Sequence, residues 1–282
     1  MSPALRRAAA QFLTEAGLSQ RRSCALAGLS RSTLHYQPRE RDDAAVTQQL
    51  REIARANKRY GYRRAAALLR QGQPINHKRV QRLWRAAGLQ RPAVRRKPRQ
   101  RPQDPNRSPL QAEYPNHVWT YDFMEDSTAD GRKVRLLTVV DEFTRECLAI
   151  AVARHQPSAA VITILAQVFA RHGRPAFMRS DNGSEFIAHA LCAWLYAQQI
   201  DTHHIDPGSP WQNGYGESFN GHFRDECLNL EDFPSLLEAQ VVTARWRQHY
   251  NTQRPHSALD YQTPAAFHRQ WAAAHRPGSL AL

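Results

Sequence analysis

Hydrophobic and polar residues change their period partway along this chain. Over residues 118–124, Trp119, Tyr121 and Phe123 alternate with Thr120 and Asp122. That spacing of two predicts a strand with Asp122 opposite the aromatic face. Apolar runs over 134–140 and 147–152 predict two more strands, with Asp130-Gly131 as the turn before the first and a polar link at 141–145 between them. A helical spacing then takes over. Ser158 starts a helix with Val161, Leu165, Val168 and Phe169 inward, ending at Gly173. A short strand over 177–179 delivers Asp181 at its carboxyl end. A helix over 186–199, a strand over about 201–205 and a helix carrying Glu217 complete the series.

The first 90 residues follow a helical period throughout. Phe12 and Leu13 lie on a helix that stops at Gly17, Ser19 can cap a second over 20–28, and Ser30 a third. Residues 1–38 are therefore expected to form a helix-turn-helix-like unit. A second unit is expected over 42–90. There Asn76 caps a helix running to about Ala87, with Val80, Leu83, Trp84 and Ala87 as its core stripe and Gly88 as its stop. Lys78, Arg79, Arg82 and Arg85 fall off that stripe, and Arg63 and Arg64 open the helix before it. Two helices joined through residues 72–75 predict a basic face for a DNA major groove. Residues 91–112 are expected to be a basic, proline-rich linker. Residues 91–110 hold seven Arg or Lys and five Pro with almost nothing apolar, so they predict an extended segment that tracks phosphates or lets the halves swivel. The catalytic core is expected over 113–270 and a flexible tail over 271–282.

Charge sharpens this division. The net charge is +14, which favours a polyanionic partner. Residues 1–108 carry 25 Lys and Arg against 6 Asp and Glu (+19), and residues 109–282 carry 14 against 19 (−5). A basic front that grips nucleic acid and an acidic back that binds metal is a coherent pairing. The four cysteines are scattered, which predicts neither a disulfide frame nor a zinc site. No apolar stretch nears 18 residues and no signal peptide is evident, so a cytoplasmic protein without membrane contact is expected. Neither Gly-x-Ser-x-Gly nor a phosphate-binding loop of the Gly-x-x-x-x-Gly-Lys type is present. The expected nucleophile is external, either water or a DNA 3′-hydroxyl.

Asp122, Asp181 and Glu217 carry the candidate chemistry, with 35 residues between the last two (217 − 181 = 36). Two aspartates and a glutamate suit two Mg²⁺ ions, since hard cations take oxygen ligands. Two such metals clamp the attacking and leaving oxygens of a phosphoryl displacement. At 100° per residue, Asn220, Gly221 and Arg224 fall within about 60° of Glu217, whereas Phe219, Phe223 and Cys227 cluster elsewhere. Arg224 is expected on a substrate phosphate, and Asn220 and Asn182 are further candidate nucleic-acid contacts. Asp141 and Glu142 read as solvated turn acids, Asp126 and Asp130 as turn residues, and Glu185 as a first-turn helix residue. The predicted fold class is α/β: a ribonuclease-H-like mixed sheet flanked by helices, preceded by small all-α helix-turn-helix units.

Motifs over 59–64, 76–84, 119–123, 137–145, 179–186, 207–221 and 250–259 together resemble the second-reading-frame transposase of the insertion-sequence-three family, a relative of retroviral integrases with a D-D-35-E core. The resemblance covers nearly the whole chain. It implies metal-dependent nicking of DNA ends and strand transfer by a polynucleotidyl transferase, with Mg²⁺ (Mn²⁺ substituting) as two ions per site held by Asp122, Asp181 and Glu217. It further implies double-stranded DNA as partner, a homo-oligomer on that DNA, and a frameshift fusion with an upstream-frame protein. Gly216 departs from the family pattern, where a bulkier apolar residue is usual, and predicts a loose start to the Glu217 helix. A catalytically inactive DNA-binding regulator, a decayed remnant and a ribonuclease-H-type nuclease on hybrids remain the alternatives.

Overall fold

The computed structural model describes residues 2–36, 43–90, 110–181, 183, 188–204 and 213–275. These divide into two compact units, Met1–Val46 and Thr47–Leu282. In the first unit, α1 (Pro3–Glu15), α2 (Gln20–Leu26) and α3 (Arg31–Leu34) are separated by Gly17 and Gly28, both at positive φ. Ser30 caps α3 as its sequence predicts, accepting from the Thr33 amide at 3.1 Å. Ser19 precedes α2 without a side-chain cap bond.

α4 (Asp43–Ala56) runs across the boundary between the units. In the second unit follow α5 (Tyr62–Arg70) and α6 (His77–Ala86). Asn76 caps α6 by accepting from the Lys78 amide at 2.9 Å, and Val80, Leu83 and Trp84 are its buried stripe. Gly88, at φ +67°, terminates it in the left-handed region that glycine adopts without strain.

Among the described residues the strands are β1 (Val118–Ser127), β2 (Lys133–Asp141), β3 (Cys147–Ala153), β4 (Phe177–Ser180) and β5 (Asp201–His204). They form one mixed sheet in the order β3-β2-β1-β4-β5. β1–β2 and β2–β3 are antiparallel, and β1–β4 and β4–β5 are parallel. Alternation along the strands builds two cores. Trp119, Tyr121, Leu137 and Val139 face α7 (Ser158–His172) and α8 (His189–Ala197). Met124, Leu136 and Val140 face α9 (Gly214–Glu226) and α10 (Leu236–Thr252). Ser235 caps α10, accepting from the Glu238 amide at 3.2 Å. α11 (Pro264–Ala274) closes the chain, with Pro264 in its first turn and Thr263 as cap.

Several expectations change here. Residues 271–274, expected in a flexible tail, belong to α11, where the Trp271 ring meets Phe143 at 6.0 Å; residues 276–282 lie outside the described residues. Asp126 lies on β1 opposite Val134 and not in a turn. Asp141 and Glu142 are buried, not solvated. Asp141 accepts from the Asn116 amide at 2.6 Å and from the Trp119 indole at 3.2 Å, and Glu142 receives Arg179 at 2.8 and 2.9 Å. Both acids pin the base of β1 to its neighbours. Within the second unit, Arg59 donates to the Asp225 carbonyl at 2.9 Å and pairs with its carboxylate at 3.3 Å. The expected linker residues 91–109 lie outside the described residues.

Candidate active site

β1 and β4 run parallel, with Val118 opposite Phe177 and Thr120 opposite Arg179. Asp122 and Asp181 each follow that last pair by two residues, so the register brings them side by side at the carboxyl end of β4. Function collects at such strand ends in open α/β sheets. The Asp181 carboxylate accepts from the Gly183 amide at 2.9 Å. Glu217 sits in the first turn of α9, where the positive end of the helix dipole favours a carboxylate.

α9 is stitched to β1 along one face. Thr120 donates to the Asn213 side-chain oxygen at 2.6 Å, Asn220 donates to the Asp122 carboxylate at 2.7 Å, and Arg224 donates to the Glu125 carbonyl at 3.1 Å. The opposite face is anchored by Phe219 and Phe223, which pack on Trp246 at 5.7 and 4.7 Å between ring centroids. Glu217 is thus carried over the sheet by a helix fixed on both sides. Gly216 is part of that fit and no loose start. A Cβ there would meet Asn213 Oδ1 at 2.7 Å and Thr120 Oγ1 at 3.0 Å.

Burial pushes the Asp122 carboxyl up to about 6, and the neighbouring Asp181 pushes the same way. The Phe123 amide and Asn220 oppose the rise, while Glu217 adds to it. A carboxyl that feels two further carboxylates is a position that a divalent cation relieves, so the donor set fits hard metal ions. Among the described residues, no three His, Cys, Asp or Glu side chains converge closely enough to share an ion as they stand. The fit therefore rests on charge and donor type.

The other predicted contacts divide. Lys78, Arg82 and Arg85 are exposed on α6, with Arg79 half-buried. Arg63 is exposed, its guanidinium 5.7 Å from the Tyr62 ring. Arg64 departs from the expected DNA contact. It reaches Glu226 at 3.4 Å and lies over the Tyr60 ring, because a buried carboxylate at the end of α9 needs cations. Asn220, also expected on nucleic acid, spends its amide on Asp122. Asn182 and Glu185 lie outside the described residues. Sequence reasoning missed the roles of Arg254 and Glu226. Arg254 meets the Glu226 carboxylate through two bonds at 2.6 and 2.7 Å. Arg254 lies in the 250–259 motif, so its position was marked without a function.

The integrase core domain family matches residues 112–210 and 198–264, and the HTH-like domain family matches 40–98. The uncharacterized 31.7 kDa protein of insertion element IS407 from Burkholderia multivorans is 45% identical over 92% of this chain and 92% of its own length. The uncharacterized 39.2 kDa protein of insertion element IS476 from Xanthomonas euvesicatoria is 42% identical over 93% and 76%. The chain belongs to the insertion-sequence-three family of transposases. Transposase InsD for insertion element IS2D of Escherichia coli is a more distant relative, at 29% identity over 83% and 81%. Among solved structures, the HTLV-2 integrase catalytic core in complex with magnesium aligns with a TM-score of 0.46 at 21% identity, over 55% of this transposase and 97% of that chain. Family membership supports polynucleotidyl transferase activity, and this transposase has the mixed sheet and flanking helices that its sequence predicts. No helix among the described residues is long and apolar enough to cross a membrane.

Proposed function

We propose that Asp122, Asp181 and Glu217 are the catalytic carboxylates of a DNA transposase that nicks element ends and joins the freed 3′-hydroxyl to target DNA. The observation that supports this reading is the α9–β1 stitching, together with the charges of Asp181 and Glu217 both acting on Asp122. These three residues would hold two divalent cations, Mg²⁺ or Mn²⁺, which supply Lewis-acid stabilisation of a phosphoryl displacement when bound. The chain's own contribution is placement. Asn220 fixes the Asp122 carboxylate, and Gly183 fixes that of Asp181. Arg224, exposed at the far end of the same helix face, is the candidate for a substrate phosphate. Lys78, Arg79, Arg82, Arg85 and Arg63 form the candidate duplex-binding face, with element ends and target as double-stranded DNA partners. A homo-oligomer on paired ends and a fusion with the upstream-frame protein belong to the same reading.

Strand transfer on a labelled duplex with the element's own ends tests it, with Mg²⁺, Mn²⁺ or EDTA. Wild type is expected to form joined products that require metal, while Asp181→Asn and Glu217→Gln bind the duplex without cutting it. Joined products from either variant would remove that carboxylate from the mechanism. DNA bound but never cut by wild type, alone or fused to the upstream frame, would favour a regulator.

A further inference from the structure

A cleft of about 440 Å³ opens on another flank of α9, lined among others by Arg64, Arg145, Arg179, Tyr215, Arg254 and His256. None of Asp122, Asp181 or Glu217 lines it. Its arginines are unequally satisfied. Arg179 is held by Glu142 and the Leu110 carbonyl, and Arg254 and Arg64 share Glu226. Arg179, Arg254 and Arg64 thus each have a carboxylate partner. Arg145 is the outlier. Its Nε and Nη1 are buried with no hydrogen-bond partner among the described residues, and its guanidinium carbon lies 3.8 Å from the centre of the Tyr215 ring. Buried donors without an acceptor lose their hydration with nothing in return. The Arg145 backbone also sits at φ +63°, where glycine would be less strained. An arginine is kept here against both penalties.

We propose that this cleft holds one nucleotide of the DNA strand beside the cut, its phosphodiester on Arg145 and its base against Tyr215. The proposal rests on the transposase reading above. A guanidinium packed on an aromatic ring can receive two phosphate oxygens. Tyr215 is 38% exposed, so its ring can shift to admit a phosphate oxygen to the orphaned donors and still offer a face for stacking. The volume exceeds that of a bare anion and suits a nucleotide. The occupant comes from outside the chain's own linker, because residues 91–109 carry seven Arg or Lys against one Asp and would be repelled. Tyr215 stands two residues before Glu217 on α9 and so faces the other side of that helix; a strand wrapping the helix end, about 10 Å across, would bring a neighbouring nucleotide to the carboxylates.

Photo-crosslinking tests the proposal on the full chain. End duplexes carry 5-iodouracil in turn at each position flanking the cut, and duplex affinity is followed against salt for wild type, Arg145→Lys and Arg145→Gln. The expected result is a crosslink to Tyr215 from one or two adjacent positions only. Arg145→Gln should lose it and reduce the slope of log affinity against log salt by about one, the signature of one lost phosphate contact, while Arg145→Lys keeps the slope. Crosslinks that all map elsewhere would overturn the site, as would a wild-type slope in a folded Arg145→Gln. Should Arg145→Gln fail to fold, the wild-type crosslink map decides alone. Wild type that joins DNA without a Tyr215 crosslink removes the cleft and spares the transposase reading. Wild type that binds no DNA removes both.

Discussion

Asn220 donates its side-chain amide to the Asp122 carboxylate at 2.7 Å, and the same amide's oxygen accepts from Thr138 at 3.1 Å. The two bonds fix which end of the amide faces the acid. A residue on the Glu217 helix therefore sets the direction of a carboxylate on the strand. A hydrogen bond to a charged group is worth about 1.5–3 kcal/mol. Asn220→Ala is expected to slow joining by about tenfold or more and leave duplex affinity unchanged. If affinity falls and joining per bound complex holds, Asn220 is a nucleic-acid contact, as its sequence position alone suggests.

Gly216→Ala reverses a simple expectation. Helix propensity favours alanine over glycine by about 1 kcal/mol. Here the new Cβ would stand 2.7 Å from Asn213 Oδ1 and 3.0 Å from Thr120 Oγ1. Overpacking of this kind costs about 1–3 kcal/mol, and it breaks the 2.6 Å Thr120–Asn213 bond. The variant should therefore lose stability in urea, and Asn213→Ser should recover part of the loss. An equal or higher urea midpoint for Gly216→Ala alone would show that the contact relaxes freely.

Local pattern carried most of the fold because period and punctuation carry local physics. Ser30, Asn76, Gly88 and Gly173 end or start helices for reasons visible in a few neighbouring residues. The alternation at Trp119 and Tyr121 put Asp122 on the face toward α9. What was not legible depends on pairs far apart in sequence. Arg179 meets Glu142 across 37 residues, and Arg64 meets Glu226 across 162. An acid reads as solvated until the cation that buries it is known. Gly216 looked loose for the same reason, since Thr120 lies on another element.

Glu226 and Arg254 make a buried pair at 2.6 Å, with Arg254 only 1% exposed. Removing one partner strands the other charge away from water, at a cost of about 3–5 kcal/mol. Glu226→Gln should thus be strongly destabilised, and it also withdraws the acceptor of Arg64. The double variant Glu226→Gln, Arg254→Met should be more stable than either single one, as read from urea midpoints. Additive losses would mean that the two side chains act separately.

His256 gives the second unit an acid-sensitive point. Burial lowers its pKa to about 2 from an ordinary 6.5, and Arg254, Arg64 and His222 push in the same direction, against a bond to the Tyr250 backbone. The folded chain therefore keeps this ring neutral where the unfolded chain takes up a proton. For a group lowered on folding, the unfolded state binds more protons between the two values, so stability is complete above about 6.5 and lost as the pH falls through that window. His222, lowered to about 4 mainly by burial, acts with the same sign. His268, raised by its bond to Glu146, acts with the opposite sign. The contribution of His256 alone approaches about 1.4 kcal/mol per pH unit well below 6.5. Urea midpoints measured from pH 7 down to pH 4 should fall more steeply for wild type than for His256→Gln, whatever the variant's absolute stability. Parallel slopes would mean that the ring takes up its proton in the folded protein.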